Sequence, residues 1–401
     1  MAYQERTTTN YGQRLLRSLK GIGGGFIMFL VGTIILFWNE GNFVKTKKAI
    51  GEAEKTFVAV SDVSTVDTTL NGKLIHAYAL ADTEDVLVDA QFGVNERAIA
   101  IIRTVEYYQF VEESKTETKD KLGGGEEKVT TYTYNQKWVS SPINSSGFKD
   151  PSSRNLNYVL DNIKEQTEYA KNVTFGAYRL PTFIIKSIQG KVPAKPQMSD
   201  DELIQWGNRI AGRMAELGTN VSSETKLVYV QDNVVYFGKS STSPQIGDIR
   251  VTLTKIMPNE ISIIAKVIGS TFEEYTTKEG RTFSRVEMGT VSAEKMFANA
   301  QKSNKYLTWI LRLVGVILVV WGLKAIFNIL SSLFKVLPFL GNIVGAGVGL
   351  VCTIGGVAWS LIIISISWLF YRPLIAIPML LIAIVGIWFL NKNGKGKAKD
   401  T

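Results

Sequence analysis

Residues 21–46 read GIGGGFIMFLVGTIILFWNEGNFVKT. The first 18 of them, residues 21–38, carry no charge, and a helix needs about that many apolar residues to cross a bilayer. Such a run can be a cleaved secretory signal, a buried core segment or a permanent anchor. A signal has a shorter apolar centre and a cleavage site of small residues, whereas this run ends in Leu36, Phe37 and Trp38. We therefore predict a membrane helix over residues 21–38 that stays in the mature chain.

The two ends of this helix suggest different roles. Four glycines lie at its start: Gly21, Gly23, Gly24 and Gly25. They either permit close packing against another helix or form a flexible segment at the start of the membrane helix, and the sequence leaves both interpretations open. Trp38, at the other end, is predicted to lie at the membrane interface, where an amphipathic ring is favoured.

Charge around the helix predicts its orientation. The basic residues before it are Arg6, Arg14, Arg17 and Lys20, and only Glu5 opposes them. Because cytoplasmic flanks carry an excess of Lys and Arg, residues 1–20 are expected to form a basic cytoplasmic lead. The chain after the helix would then be exported, into the periplasm of a bacterium or the lumen of a eukaryotic organelle.

Residues 306–390 have the composition of a membrane block, with four basic residues and no acid. Their apolar runs predict transmembrane helices 2–4, over residues 307–323, 341–370 and 373–390. Arg372-Pro373 divides the last two, because proline disfavours a helical residue before it. A basic tail, residues 391–401, closes the chain and is expected in the cytoplasm. Four membrane helices place both termini on one side, which agrees with their charge.

The basic residues of this block are predicted to lie at the membrane interface. Residues 324–335, from Lys324 to Lys335, form a short amphipathic stretch, interpreted as the end of the second span and a helix in the cytoplasmic interface. Arg312 lies inside a span, and no Asp or Glu occurs in the C-terminal spans to pair with it. We expect Arg312 to reach the headgroups with its long side chain, and Arg372 to lie at the interface too.

Between the membrane segments, residues 39–305 are predicted to form a strand-rich domain. Residues 99–113 and 129–141 are β-rich runs around a charged, Gly-rich turn, which indicates a long hairpin. At least eight strands, mostly antiparallel, are expected. A capping box at Ser199 begins a helix over residues 201–218, and a weaker helix is predicted over about residues 154–167. The fold class is therefore an α+β membrane protein with four transmembrane helices.

The junction with the membrane block is predicted to be rigid. Ser292 begins a helix that contains no proline or glycine before Gly315. That helix would run from the domain into the second span without a break. The domain would then be attached to the bilayer at both ends.

The composition offers little catalytic chemistry. His76 and Cys352 are the only histidine and cysteine, so a disulfide or a Cys/His metal site is not expected. Phosphate-binding and dinucleotide-binding motifs are missing from the sequence. The middle of the chain is close to neutral, which disfavours a nucleic-acid partner. No catalytic residue, cofactor or metal is predicted, although exported carboxylates remain an alternative source of acid–base chemistry.

A series of short motifs resembles the transmembrane protein 43 (LUMA) family over almost the whole chain. Asn39-Glu40-Gly41 follows the first apolar run, Gly247-Asp248-Ile249-Arg250 lies in the domain, and Tyr371-Arg372-Pro373 follows the third run. The residues singled out as family motifs are Asn39, Glu40, Gly41, Gly247, Asp248, Arg250, Tyr371, Arg372 and Pro373. Their order and spacing around the predicted spans make the resemblance specific.

The resemblance implies a multipass protein with one large domain between its first and second spans, and it implies no active site. Eukaryotic members look like scaffolds of the endoplasmic reticulum and inner nuclear membrane that self-associate and bind lamins and emerin. Bacterial members have no lamina, and this chain lacks the long Ser/Thr-rich lead of the animal proteins. The expected location is thus a bacterial inner membrane with a periplasmic domain, or the endoplasmic reticulum and inner nuclear membrane with a luminal domain.

Three functions are compatible with these features. The first is a non-enzymatic scaffold that self-associates and organises membrane or envelope complexes, with the lipid bilayer, further copies and other membrane proteins as partners. The second is a lipid-processing or other enzyme at the outer membrane face that uses exported carboxylates. The third is an oligomeric channel.

Overall fold

The computed structural model describes residues 2–156, 163–222, 225–374 and 377–378. Within them the chain is an α+β protein with three long apolar helices and a strand-rich domain. Each of the three helices is long and apolar enough to cross a membrane. The predicted fourth membrane helix, residues 373–390, lies mostly outside the described residues, and the tail 391–401 lies wholly outside them.

Five α-helices occur in the described chain. Their bounds are α1 Tyr11–Thr56, α2 Thr182–Ile185, α3 Asp200–Glu216, α4 Ala293–Phe334 and α5 Pro338–Tyr371. The capping box predicted at Ser199 is present, since the Ser199 and Glu202 side chains each bond the other's backbone N–H.

Helix α1 is much longer than the apolar run that predicted it. Its 46 residues extend about 69 Å at 1.5 Å per residue. A capping box at Asn10 begins the helix, and Phe57 ends it. The predicted membrane helix, residues 21–38, is therefore the apolar middle of a helix that continues at both ends.

Helix α4 confirms the predicted rigid junction. The Ser292 side chain accepts a hydrogen bond from the Lys295 backbone N–H, and the helix then continues for 42 residues from the domain through the apolar run. The separate interfacial helix predicted within residues 324–335 is wrong, because α4 runs through to Phe334. No proline or glycine occurs between Gly322 and Pro338 to stop it earlier. Helix α5 ends at Tyr371, directly before Arg372-Pro373, as predicted.

The described chain contains nineteen strands. Their bounds are β1 Ala2–Thr9, β2 Val58–Ala59, β3 Leu74–Thr83, β4 Val86–Asp89, β5 Val94–Arg97, β6 Ala100–Asp120, β7 Glu126–Val139, β8 Gln166–Tyr169, β9 Val173–Phe175, β10 Tyr178–Arg179, β11 Lys191–Pro193, β12 Val228–Gln231, β13 Val234–Phe237, β14 Ile249–Ile256, β15 Asn259–Ile268, β16 Thr271–Glu273, β17 Tyr275–Thr276, β18 Thr282–Phe283 and β19 Arg285–Met288.

Two sheets contain most of these strands. The first has the order β1-β7-β6-β14-β13-β12, with β11 paired to β14 and β8 to β6. The second has the order β19-β15-β16-β10-β9-β3-β2, with β15 also paired to β3. Most of the pairs are antiparallel, as predicted, and β2–β3 and β10–β16 are parallel. The long hairpin is confirmed as β6 and β7.

The weaker helix predicted over residues 154–167 is wrong where the structure describes it. Residues 163–165 are not helical, and Gln166 begins strand β8, which pairs with Ala100–Arg103 of β6. Residues 157–162 lie outside the described chain. Pairing with a neighbouring strand overrides a weak local helix preference here.

The domain and the membrane helices share a hydrophobic cluster. Ile50 and Ala53 of α1 pack with Met296 and Phe297 of α4 against the second sheet. The Phe297 ring stacks on Phe283, with the ring centroids 5.6 Å apart. Because both helices enter this cluster, they hold the domain at a fixed orientation.

The N-terminal lead does not form a separate segment. Strand β1 pairs with β7 from Ala2–Thr133 to Thr9–Glu126, so residues 2–9 belong to the first sheet. Part of the predicted lead, residues 1–20, is thereby joined to the sheet of the predicted domain, residues 39–305, and the division of the chain between the two stays a prediction. We call residues 2–9 together with residues 112–139 the arm.

The tip of the arm touches the end of the helices that lies farthest from the domain. Arg14 pairs with Asp120 at 2.7 Å, and Lys335 pairs with the same carboxylate at 3.2 Å. Arg17 pairs with Glu126, and the Gly123 N–H donates to the Val336 carbonyl at 3.1 Å. We call this group of contacts the clasp. It joins the start of α1, the end of α4 and the arm.

Close packing of α1 on α4 depends on small residues at intervals of seven. Gly25 and Gly32 of α1 face Gly322 and Gly315 of α4, and a Cβ at Gly32 would lie 2.9 Å from the Gly315 carbonyl oxygen. By contrast, a Cβ at Gly21, Gly23 or Gly24 would meet nothing within 4 Å. Of the four glycines at the start of the first run, only Gly25 therefore packs closely against another helix.

We expect Gly32→Ala to destabilise the protein. The added methyl would push α1 away from α4, and overpacking of this kind costs about 1–3 kcal/mol. Gly24→Ala is the matched control, because its methyl enters open space and alanine favours helix by about 1 kcal/mol. Thermal unfolding of both variants in one detergent measures the effect. Equal midpoints for the two would contradict the close crossing.

Candidate functional site

Glu40 forms the centre of the candidate site, a cluster of charges between the three membrane helices. It lies two residues after Trp38, within α1, and its side chain is fully buried. An isolated buried carboxylate is very costly, so partners are required.

Arg312 of α4 is the first partner. Its Nε lies 2.6 Å from Glu40 Oε1, and its Nη2 lies 2.9 Å from Oε2. These two bonds form a fork-to-fork pair, which is the strongest and most directional arrangement for a guanidinium and a carboxylate. The guanidinium also lies over the Trp309 ring, 4.7 Å from its centroid.

The region after α5 supplies the second partner. Arg372 Nη2 lies 3.5 Å from Glu40 Oε2, and the Trp368 indole N–H donates to the same oxygen at 2.8 Å. The Arg372 guanidinium stacks on the Phe43 ring at 4.6 Å. A single carboxylate of α1 thus contacts groups from α4 and from the α5 end of the chain.

The neighbours of Glu40 in the sequence complete the junction. Asn39 donates its side-chain N–H to the Thr308 carbonyl at 3.0 Å, which ties α1 to α4. Gly41 lies against the Tyr371 ring, where an added Cβ would come within 2.5 Å of the ring. Each residue of Asn39-Glu40-Gly41 therefore has a distinct contact, and only glycine fits beside Tyr371.

The charges of the cluster do not balance within it. One carboxylate faces two guanidiniums, so the surplus positive charge is stabilised by the rings of Trp309, Trp368 and Phe43. Loss of the carboxylate would leave two partly buried cations without an anion. The cluster therefore joins the three helices, and its stability depends on the single carboxylate of Glu40.

The depth of the cluster fits a membrane surface. Glu40 lies 26 residues after Arg14 of the clasp on the same helix, which corresponds to about 39 Å. A bilayer with its headgroups is about 40–45 Å thick. This spacing agrees with the prediction that Arg312, Arg372 and Trp38 lie at the membrane interface, which stays a prediction. The Trp38 side chain is exposed on the outer face of α1.

Of the two lysines predicted at the interface, Lys335 lies at the clasp end of α4, and Lys324 lies 11 residues earlier, about 16 Å away along the helix. Lys335 is part of the clasp itself. Lys324 lines a small cavity of about 200 Å³ between α4 and α5, next to Asn328 and Gly345. The predicted interface residues therefore do not share one level: Arg312, Arg372 and Trp38 lie near the Glu40 cluster, Lys335 lies in the clasp, and Lys324 lies between the two.

The partner of Arg312 is not evident from the sequence. The C-terminal spans contain no acid, and the acid that pairs with Arg312 comes from α1, 272 residues earlier in the chain. An available indication was the acidic Asn39-Glu40-Gly41 motif directly after one span, together with Arg312 inside the next.

The domain motif forms a second, separate cluster in the first sheet. Asp248 is buried and accepts hydrogen bonds from the Tyr236 hydroxyl and from the Gln245 N–H at 2.8 Å. Gly247 has a φ of +99°, a conformation that favours glycine. Arg250 bonds Glu106 and stacks on the Trp138 ring. These residues hold the turn before β14 and give no indication of catalysis.

His76 and Cys352 have ordinary structural places. His76 lies in β3, and its Nε2 is 2.9 Å from the Val291 carbonyl oxygen. Cys352 is buried within α5. Among the described residues, no three or more His, Cys, Asp or Glu side chains are grouped in a way that could hold a metal ion.

We expect Glu40→Gln to cost about 3–5 kcal/mol of stability, because it leaves Arg312 and Arg372 without an anion. A double-mutant cycle with Arg312→Gln should show favourable coupling of about 1–3 kcal/mol. Denaturant titration in detergent measures both quantities, and Glu54→Gln, on the exposed side of α1, is the control. Additive losses from the two single variants would refute the pair.

The Tyr236 pair predicts a dependence on pH. Burial and the bond to Asp248 raise the pKa of Tyr236 above its usual value near 10, so the folded protein keeps the proton while the unfolded chain loses it. The free energy of unfolding should therefore fall above pH 10, by up to about 1.4 kcal/mol per pH unit.

Tyr236→Phe lacks this dependence and also lacks the bond to Asp248, which is worth about 1–3 kcal/mol. The variant should thus be less stable than the wild type at pH 8, and the difference should shrink from pH 10 to pH 11. Thermal unfolding at each pH measures it, with the half-exposed Tyr78→Phe as control. A difference that stays constant over this range would rule out the pKa shift.

Comparison with known proteins identifies the family. The model of the transmembrane protein 43 family matches residues 107–373. Mouse transmembrane protein 43 is 30% identical over 383 residues, covering 94% of this chain and 90% of the mouse protein. The human protein is 27% identical over 387 residues with the same coverage, and a Drosophila homolog is 24% identical over 382 residues. No solved structure matches significantly. The chain therefore belongs to the transmembrane protein 43 family, as its motifs predicted.

Proposed function

We propose that this chain is a non-enzymatic membrane scaffold that self-associates and presents its strand-rich domain to other membrane proteins. The observation that carries the proposal is the rigid attachment of the domain to the membrane helices. Two continuous helices, α1 and α4, pass from the apolar region into the core of the domain.

Polar contacts strengthen this attachment beyond the shared hydrophobic cluster. The Glu52 carboxylate of α1 accepts hydrogen bonds from the Tyr275 hydroxyl and the Lys278 N–H. Arg281 donates to the Thr46 hydroxyl of α1 at 3.1 Å. A domain fixed in this way presents its surface at one height and one angle to the bilayer, as a platform for assembly requires.

The motif residues support a structural function over an enzymatic one. Asn39, Glu40 and Gly41 lock the helices together, and Asp248 and Arg250 hold a turn of the first sheet. An enzyme that uses exported carboxylates is the alternative. Glu40, the buried carboxylate at the level of the membrane surface, is already engaged by Arg312, Arg372 and Trp368.

Helix α5 supplies a surface for self-association. Gly345 and Gly356 pack against α4, whereas Gly347 and Gly355 have open space beside them. Gly347, Gly355 and Ala358 lie on one face of α5, because intervals of eight and eleven residues bring side chains to the same side of a helix. Small residues on a lipid-facing helix permit close approach of a second helix.

Particle mass in lipid nanodiscs tests the proposal. We expect a mass above one copy per disc at low protein-to-disc ratios, and Gly347→Leu/Gly355→Leu should lower the associated fraction several-fold. Gly207→Leu and Gly212→Leu on α3 are controls, since both positions are open but lie in the domain. A single copy per disc for the wild type under all conditions would contradict self-association.

Capture of partner proteins separately tests whether the domain is presented to other membrane proteins. Chemical cross-linking in the native membrane, followed by mass spectrometry, should identify membrane proteins attached to domain lysines. Detection of activity on a lipid substrate would favour the enzyme instead, provided that substitution of exported carboxylates abolishes the activity and leaves the protein folded.

A further inference from the structure

The arm has the composition of a water-exposed element. Eleven of the 28 residues from 112 to 139 are charged, six acidic and five basic. From Glu113 to Lys119 every side chain of β6 is exposed. Strand β1 adds Glu5 and Arg6 and a row of threonines.

The position of the arm conflicts with this composition if one copy is surrounded by lipid. The root of the arm lies in the domain, where β6 pairs with β14 up to Tyr107. Its tip lies in the clasp, beyond the apolar parts of α1 and α4. The arm therefore passes through the layer between Glu40 and Arg14, which the apolar helices identify as the hydrocarbon.

Hydrocarbon cannot accommodate the arm. The charged side chains of the arm would lose their hydration, and the arm has no apolar face that could contact lipid. Its sheet is also open, because β1 and the part of β6 beyond Tyr108 each pair with only one strand, β7, in the described structure. Open strand edges do not occur in contact with lipid.

Helices α1 and α4 of the same copy do not supply a polar wall. The exposed side chains in the middle of α1 are apolar, among them Ile27, Leu30 and Ile34, and those of α4 include Leu313 and Trp321. Such surfaces suit lipid or other apolar helices. Neither of these two helices therefore shields the arm from lipid.

We propose that several copies of this chain assemble in the membrane with their arms facing one another, inside a water-containing space enclosed by their helices. Further copies are the partner that the arm itself favours, because its acidic and basic residues nearly balance and can pair across copies. The inference rests on the self-association proposed above, and adds which surface of each copy faces inwards.

Single cysteines test the arrangement directly, since Cys352 is the only native cysteine and is replaced by serine for the purpose. Ser114→Cys lies midway along the arm and is exposed, and Ile27→Cys lies at a similar depth on the exposed face of α1. In nanodiscs that hold the full-length assembly, a charged maleimide should label Ser114→Cys at least ten times faster than Ile27→Cys. A short thiol cross-linker should join copies through Ser114→Cys and not through a cysteine at domain position Ser64.

Each other outcome has a distinct meaning. A single copy per disc would refute both self-association and the inward arms. Assemblies in which Ser114→Cys reacts as slowly as Ile27→Cys, or reacts without cross-linking copies, would refute the inward arms alone. In sealed vesicles, labelling of Thr7→Cys, Ser114→Cys and Ser64→Cys from one side only would place lead, arm and domain in one compartment and would also overturn the proposal.

Discussion

The buried carboxylate of Glu40 is the interaction on which the membrane part of the structure depends. Removal of charged groups from water is costly, and Glu40 offsets that cost for Arg312 and Arg372 together. Apolar helices in lipid gain no hydrophobic energy from associating, so packing and polar contacts must hold them. The Glu40 cluster supplies the polar contacts at one end of the helices, and the clasp supplies them at the other.

Small residues provide the packing between these two ends. Gly25 and Gly32 of α1 meet Gly322 and Gly315 of α4 at intervals of seven, so that the backbones of the two helices touch. The same two helices then continue into the domain, where Phe297 stacks on Phe283. One continuous helix pair thus connects the clasp, the apolar layer, the Glu40 cluster and the domain, and the proposed scaffold function rests on this continuity.

The sequence predicted the elements whose causes are local. Apolar length predicted the long helices, the Ser199 and Ser292 caps predicted two helix starts, and alternation with a charged turn predicted the β6–β7 hairpin. The family followed from motif order. Local patterns failed where a distant partner decides the structure. Residues 2–9 become a strand only because β7 lies beside them, and residues 166–169 become one only because β6 does.

The candidate site illustrates the same limit. Glu40 and Arg312 were each singled out, one as a motif residue and the other as a charge in a span, but pairing them requires the antiparallel register of α1 and α4. That register is set by the glycines of α1 and α4 that face each other. A single sequence does not show which glycine of one helix faces which glycine of the other. The clasp likewise joins Arg14, Asp120 and Lys335, three residues whose separation in the chain hides their contact.

We propose that the clasp and the Glu40 cluster lie at the two surfaces of one bilayer. A depth series of spin labels on the exposed face of α1, from Leu16 through Ile27 and Ile34 to Lys45, measures this most directly. We expect oxygen accessibility, relative to that of a water-soluble nickel complex, to be greatest near Ile27 and to fall towards both ends. A ratio that is uniform along the helix, or that rises steadily towards one end, would contradict it.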